Sequence, residues 1–219
     1  MKPKAIVFDA YGTLFDVNSA AEKCKNKIGS KWENFANFWR TTQLEYTWLR
    51  SLMKKHKDFW QVTEDSLDKS MKVFNIDSGL KNELLNLYKI LSPYPEVKKV
   101  LTILKEKKLK LAILSNGTPK LLQELVKSNN LNNLFDDLFS VEEVKIYKPD
   151  YRVYDLPIKK YQIKPEEITF LSANTWDVSG GGNYGYNSVW VNRGKSHFDN
   201  LDYYPKNEIG NLTQLLDIV

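Results

Sequence analysis

Apolar positions along this chain follow two different rhythms. Residues 5–8, Ala-Ile-Val-Phe, form an unbroken apolar run that stops at a carboxylate. Such a run predicts a strand buried on both faces of a parallel sheet. From about Val17 to Leu91 the rhythm is helical. Phe35, Phe38 and Trp39, then Leu44, Trp48, Leu49 and Leu52, recur at the three- and four-residue spacing of an amphipathic helix. Gly29 and Gly79 are the only glycines there, so little interrupts the pattern. Asp65–Phe74 and Asn82–Leu91 predict two further helices of the same bundle, and Pro93 and Pro95 end it.

Beyond Glu96, helix and strand patterns alternate. Val97, Val100, Leu101 and Leu104 predict a helix and Leu109–Leu114 a strand. Pro119–Ser128 predicts a helix with Thr118 as its cap and proline at its first position. Strands are expected at Phe135–Val141, Ile168–Leu171 and Ser188–Val191, with helices at Tyr151–Tyr161 and Val178–Tyr184. Pro157 stands against the first of these helices. A strand, a helical insert and then repeated helix–strand units predict an α/β fold. The expected core is a doubly wound, Rossmann-like parallel sheet from residues 1–16 and 93–219, with residues 17–92 as a helical cap inserted after the first strand.

Composition narrows the function classes. The 219 residues are 42% hydrophobic and 27% charged, which is ordinary globular usage. A net charge of +5 comes from scattered lysines, without the dense basic runs that suggest nucleic acid. One cysteine, Cys24, excludes an intrachain disulfide and fits a reducing compartment. No apolar stretch reaches the roughly 18 residues that span a bilayer. No leader peptide is read at the start, so a cytoplasmic protein without membrane or nucleic-acid partners is expected.

Ligands in open α/β sheets bind outside the carboxyl ends of strands, and polar residues here gather at four such ends. They are Asp9 before Tyr11-Gly12-Thr13, Ser115-Asn116, Lys148-Pro149, and Ser172 to Asp177. Each alone reads as a turn; four in order at strand ends do not. The run Phe8-Asp9-Ala10-Tyr11-Gly12-Thr13-Leu14-Phe15-Asp16 resembles the nucleophile loop of the haloacid dehalogenase-like hydrolases. A phosphatase of that superfamily carries a second aspartate two residues after the nucleophile and acidic residues at the fourth station. Here those places hold Tyr11 and a segment with one carboxylate, Asp177. The departures imply chemistry without a metal and a leaving group that needs no proton, for which halide is suited.

The closer resemblance, over nearly the whole chain, is to the L-2-haloacid dehalogenases. It rests on Trp39-Arg40 with Gln43 to Met53, on Leu109 to Gly117, on Val144 to Asp150 with Arg152-Val153-Tyr154, and on Ser172, Asn174, Trp176 and Asp177. What it implies is an aspartyl-ester mechanism with Asp9 as nucleophile and Lys148 as the cation that keeps it ionised. Thr13 and Ser172 would orient these groups. Ser115 and the backbone amides of Ala10 and Tyr11 would hold the carboxylate of a small 2-haloalkanoic acid. Arg40, with Asn116, would meet the departing halide. Leu44, Phe59 and Trp176 would form the apolar wall, with Tyr154 also at the site, and Asn174 and Asp177 would position the water. No cofactor is implied, and a homodimer is the assembly common among relatives. A phosphatase and a non-catalytic binding descendant are the competing readings. Trp39, Tyr46, Trp48 and Trp60 are assigned to packing, and His56 and His197 to no role. Gly180-Gly181-Gly182, where a helix should start after Asp177, is expected to loosen the fourth station.

Overall fold

Residues 3–219 are described by the computed structural model. Ala5–Phe8 forms β1, with all four residues buried. The helical insert follows: α1 (Ser19–Lys23), α2 (Lys25–Ile28), α3 (Trp32–Leu52), α4 (Phe59–Phe74) and α5 (Lys81–Tyr88). Then come α6 (Val97–Glu106), β2 (Lys110–Ser115), α7 (Pro119–Ser128), β3 (Asp137–Ser140) and α8 (Tyr151–Tyr161). The chain closes with β4 (Ile168–Ser172), α9 (Thr175–Tyr184), β5 (Asn187–Val191) and β6 (Asn207–Ile209). All pairings in the six-stranded sheet are parallel, in the order β3-β2-β1-β4-β5-β6.

Chain order steps outward in both directions from β1, so the switch in strand order lies beside it. In open α/β sheets that switch point, outside the carboxyl ends of the strands, is where ligands bind. Register puts Phe8 level with Ile113 of β2 and Leu171 of β4. Asp9, Asn116 and Ala173, the first residues beyond their strands, therefore emerge at one edge.

Side-chain caps set the starts of three helices, α4, α7 and α8. Thr118 caps α7 by accepting from the Leu121 amide, as its sequence predicts. Helix α4 begins at Phe59, six residues before the expected start, because Asp58 accepts from the Gln61 amide. Helix α9 begins three residues early, which brings Trp176 and Asp177 into its first turn. Strand β6 was not anticipated: Ile209 is its one buried residue, too little for a periodic signal. Helix α8 runs through Pro157, whose ring is buried.

The three glycines of α9 stand at close contacts. A Cβ on Gly180 would collide with the Tyr154 hydroxyl and lie 2.8 Å from Pro149 Cβ. On Gly181 it would meet Phe170 at 2.7 Å, and on Gly182 it would enter the Tyr203 ring. Each missing side chain admits an aromatic ring, so the helix propensity given up supports close packing. Gly180→Ala gains about 1 kcal/mol of helix propensity but overpacks the contact with Tyr154, costing about 1–3 kcal/mol. We expect a lower melting temperature and lower activity from this variant; equal or higher values in both would contradict that packing role.

Candidate active site

Strand β1 ends on Asp9, and Gly12 makes the next bend at a φ of +91°, a conformation side-chain-bearing residues rarely adopt. The bend returns Thr13 toward Asp9. The Thr13 hydroxyl donates to Asp9 Oδ2 at 3.0 Å and accepts from the Ala173 amide at 2.8 Å. Asn174 Nδ2 donates to the same Oδ2 at 3.0 Å. The other oxygen, Oδ1, faces Lys148 Nζ at 3.2 Å. Asp9 is thus buried with donors on both oxygens.

Lys148 is 1% exposed and lies between two carboxylates, with its Nζ 2.9 Å from Asp177 Oδ2. The same Nζ stands 5.0 Å from the centre of the Phe170 ring. Tyr154 donates to Asp177 Oδ1 at 2.7 Å. Burial pushes the Asp177 carboxyl above the ordinary carboxylate value, and the Asp9 charge pushes the same way against the pull of Lys148. Burial likewise drives the Tyr154 hydroxyl well up, so it remains a donor.

The second station sits beside the first. Ser115 is fully buried and accepts from the Gly117 amide at 3.0 Å. Asn116 Oδ1 accepts from the Lys148 amide at 3.1 Å, tying the end of β2 to the loop before α8. Ser172 accepts from the Asn174 amide at 3.1 Å. Among the described residues, the amides of Ala10 and Tyr11 donate no hydrogen bond. Two free amides beside Ser115 are suited to an anionic group that brings its own acceptors.

The insert closes this edge from above. Arg40 on α3 donates from Nη2 to the Tyr11 carbonyl at 3.2 Å and from Nη1 to Gln43 at 2.9 Å. Leu44 and Trp48 follow at four-residue steps and so share the Arg40 face of α3. The Trp48 ring meets Trp176 edge-on at 5.4 Å, so it packs across to the core. Phe59 is buried against the Tyr11 ring at 5.2 Å. The Tyr11 hydroxyl is buried without a partner among the described residues, in a setting that drives its pKa well up.

Three supports escape a reading of the sequence. Gln43, which holds Arg40, is itself held by Thr63 at 2.7 Å and Tyr88 at 3.0 Å. A polar residue one helical turn from Arg40 was the available signal. Arg193 donates to the Thr13 carbonyl at 2.9 Å and pairs with Glu96 at 2.7 Å, an interaction between residues 97 positions apart in sequence. Nothing local announces it. His56, given no role from sequence, lies 2.9 Å from Glu142 Oε2.

A metal fits these residues poorly. Both carboxylates are already bonded to the Lys148 ammonium. The remaining groups around Asp9 are an amide, hydroxyls and a tyrosine. Among the described residues no three His, Cys, Asp or Glu side chains cluster as a metal site would need. No helix among them is long and apolar enough to cross a membrane.

This geometry has counterparts. The family model for haloacid dehalogenase-like hydrolases matches residues 3–185. The chain is 44% identical to (S)-2-haloacid dehalogenase 1 of Pseudomonas sp. (strain CBS-3), over 87% of this chain and 85% of that one. It is 38% identical to (S)-2-haloacid dehalogenase 4A of Burkholderia cepacia, over 97% and 93%. It superposes with a TM-score of 0.91 on the L-2-haloacid dehalogenase of Xanthobacter autotrophicus with chloropropionic acid covalently bound, at 32% identity, covering 100% of this chain and 98% of that one. With its Asp9 loop, buried lysine and parallel sheet in that company, the chain belongs to the haloacid dehalogenase-like hydrolases, among the (S)-2-haloacid dehalogenases.

Proposed function

We propose that the protein hydrolyses short (S)-2-haloalkanoic acids to (R)-2-hydroxy acids and halide, through an ester on Asp9 and without a metal. The observation that carries this reading is the Asp9 carboxylate held by Thr13, Asn174 and Lys148, with a tyrosine and not an aspartate two residues on. Two residues on, Tyr11 stands where a phosphatase needs a proton donor for an alkoxide leaving group. A hydroxyl whose pKa is raised well above the phenolic range is a poor acid near neutral pH. Halide leaves without a proton.

In the first half-reaction an Asp9 oxygen attacks the α-carbon opposite the halogen; the C–O bond forms as the C–halogen bond breaks. Ser115 and the free amides of Ala10 and Tyr11 hold the substrate carboxylate. Arg40, aided by Asn116, stabilises charge growing on the halide, and this benefit is realised mainly in the transition state. Leu44, Phe59 and Trp176 enclose the alkyl group, with residues 17–92 acting as the cap. In the second half-reaction water adds to the ester carbonyl of Asp9, near Asn174 and Asp177, and releases the hydroxy acid. Lys148 and Tyr154 hold Asp177 in place for that step. A single buried cysteine suits a cytoplasmic setting.

One assay separates this from a phosphatase. Chloride release from L-2-chloropropionate is expected to proceed undiminished in EDTA, while a generic phosphomonoester with magnesium releases no phosphate. Dehalogenation lost in chelator and restored by magnesium would overturn the metal-free mechanism; phosphate release alone would overturn the function.

A further inference from the structure

We propose that a second anion site lies at the seam between the helical insert and the core, apart from Asp9, and takes a phosphate group. A cavity of about 270 Å³ opens there between the end of α3 and the segment that leads into Lys148. The insert side supplies Arg50, Lys54 and His56; the core side supplies Lys145 and Arg152. No carboxylate lines it.

The partners of three of these side chains lie outside the cavity lining. Arg50 pairs with Asp65 at 2.6 Å, His56 faces Glu142 at 2.9 Å and Arg152 pairs with Asp150 at 2.8 Å. Among the described residues Lys54 and Lys145 have no ion-pair partner, so two positive charges face the cavity uncompensated. Both are also held in left-handed backbone, at φ of 56° and 50°, a region glycine or asparagine occupies more cheaply. Like charges gathered from two sides of a seam repel unless an anion joins them.

His56 narrows the choice of anion. Its Nε2 faces a carboxylate, which can only accept when ionised, so Nε2 carries the proton. Its Nδ1 is buried with no partner among the described residues. On a neutral ring that nitrogen accepts. Hydrogen phosphate has an O–H to offer it and three further oxygens for the lysines and arginines. If the ring is protonated, Nδ1 donates to a phosphate oxygen instead. A carboxylate or halide meets only the second case. The cavity exceeds one phosphate in size, so the phosphoryl group could belong to the free ion or to a small monoester.

Position gives the site a consequence. The Ser51 hydroxyl already accepts from the Tyr147 amide at 3.3 Å, and the His56 ring packs at a tilt against Tyr147, with centroids 5.1 Å apart. An anion held from both sides would add to that link one residue before Lys148, pinning the insert against the core.

Binding to the folded state raises its melting temperature, and this readout does not depend on dehalogenase activity. Wild-type protein would be melted in sodium phosphate, in glycerol 3-phosphate and in sodium chloride at matched ionic strength. Phosphate in several-fold excess over its dissociation constant should raise the melting temperature by about 2–4 °C over chloride. A rise with phosphate alone identifies the free ion; a rise with both identifies the phosphoryl group. The double variant K54Q/K145Q should lose the rise, K54R/K145R should keep it, and K98Q/K99Q on α6, with the same loss of charge, should also keep it. No rise in wild type, or an equal rise in K54Q/K145Q, overturns the site; the latter would assign the effect to the general stabilisation that phosphate gives folded proteins or to anion binding elsewhere.

Discussion

An Asp9→Asn variant is expected to fold normally and to release no measurable halide. The amide keeps the size of the carboxylate but loses the charge, and a neutral amide is a poor nucleophile toward carbon. The donors from Thr13, Asn174 and Lys148 are arranged for two acceptor oxygens, so the exchange also misfits them. Oxygen labelling gives the stronger test. With enzyme in excess over substrate in heavy-oxygen water, the hydroxyl oxygen of the first product comes from Asp9, so the 2-hydroxy acid should be unlabelled. Water then enters at the ester carbonyl, and the label should appear in the peptide containing Asp9. Direct attack of water on the α-carbon gives the opposite distribution. Solvent oxygen in the product of a single turnover would remove Asp9 from the role of nucleophile.

Asp9 could be found in the sequence because its signal is local. An apolar run that stops at a carboxylate, followed by Gly12 and Thr13, declares a strand end and a tight bend at once. Ser115-Asn116 and Ser172 are also strand ends, which the parallel sheet brings to one edge, whereas Lys148 lies eight residues beyond the end of β3 and reaches the edge on a loop. What sequence does not declare is support contributed by distant segments. Arg193 grips the Thr13 carbonyl from 180 residues away, and Gln43 depends on Tyr88 across 45. No spacing rule relates such pairs.

Two features of the chain depend on neighbours that a segment alone does not show. The α9 glycines look like helix breakers until Tyr154, Phe170 and Tyr203 are seen to fill the space they leave. Strand β6 has one buried residue, and its pairing with β5 outweighs its weak pattern. Propensity describes a segment alone, and both segments are decided by their neighbours.

Lys148 carries the second large effect, on stability as well as on rate. It is the cation between Asp9 and Asp177, all three being buried. Lys148→Met keeps much of the apolar stem but leaves two carboxylates facing each other without a counter-charge. Removing one partner of a buried pair costs about 3–5 kcal/mol, and loss of electrostatic support at the nucleophile should lower turnover by about 10²–10³-fold or more. The stability loss should depend on pH in a definite direction. Asp177 already has a raised native pKa, chiefly from burial, with Lys148 opposing the rise. A carboxyl of this kind holds its proton more tightly folded than unfolded. Its contribution to stability is full below the unfolded value near 4 and is lost as pH rises through the native value. Without Lys148 the native value rises further, so more stability is lost on going to neutral pH. The difference in melting temperature between wild type and Lys148→Met should therefore be wider at pH 7 than at pH 4.5. A difference that stays constant across that range would mean that the lysine stem contributes packing alone, and that the ammonium does not hold the two carboxylates together.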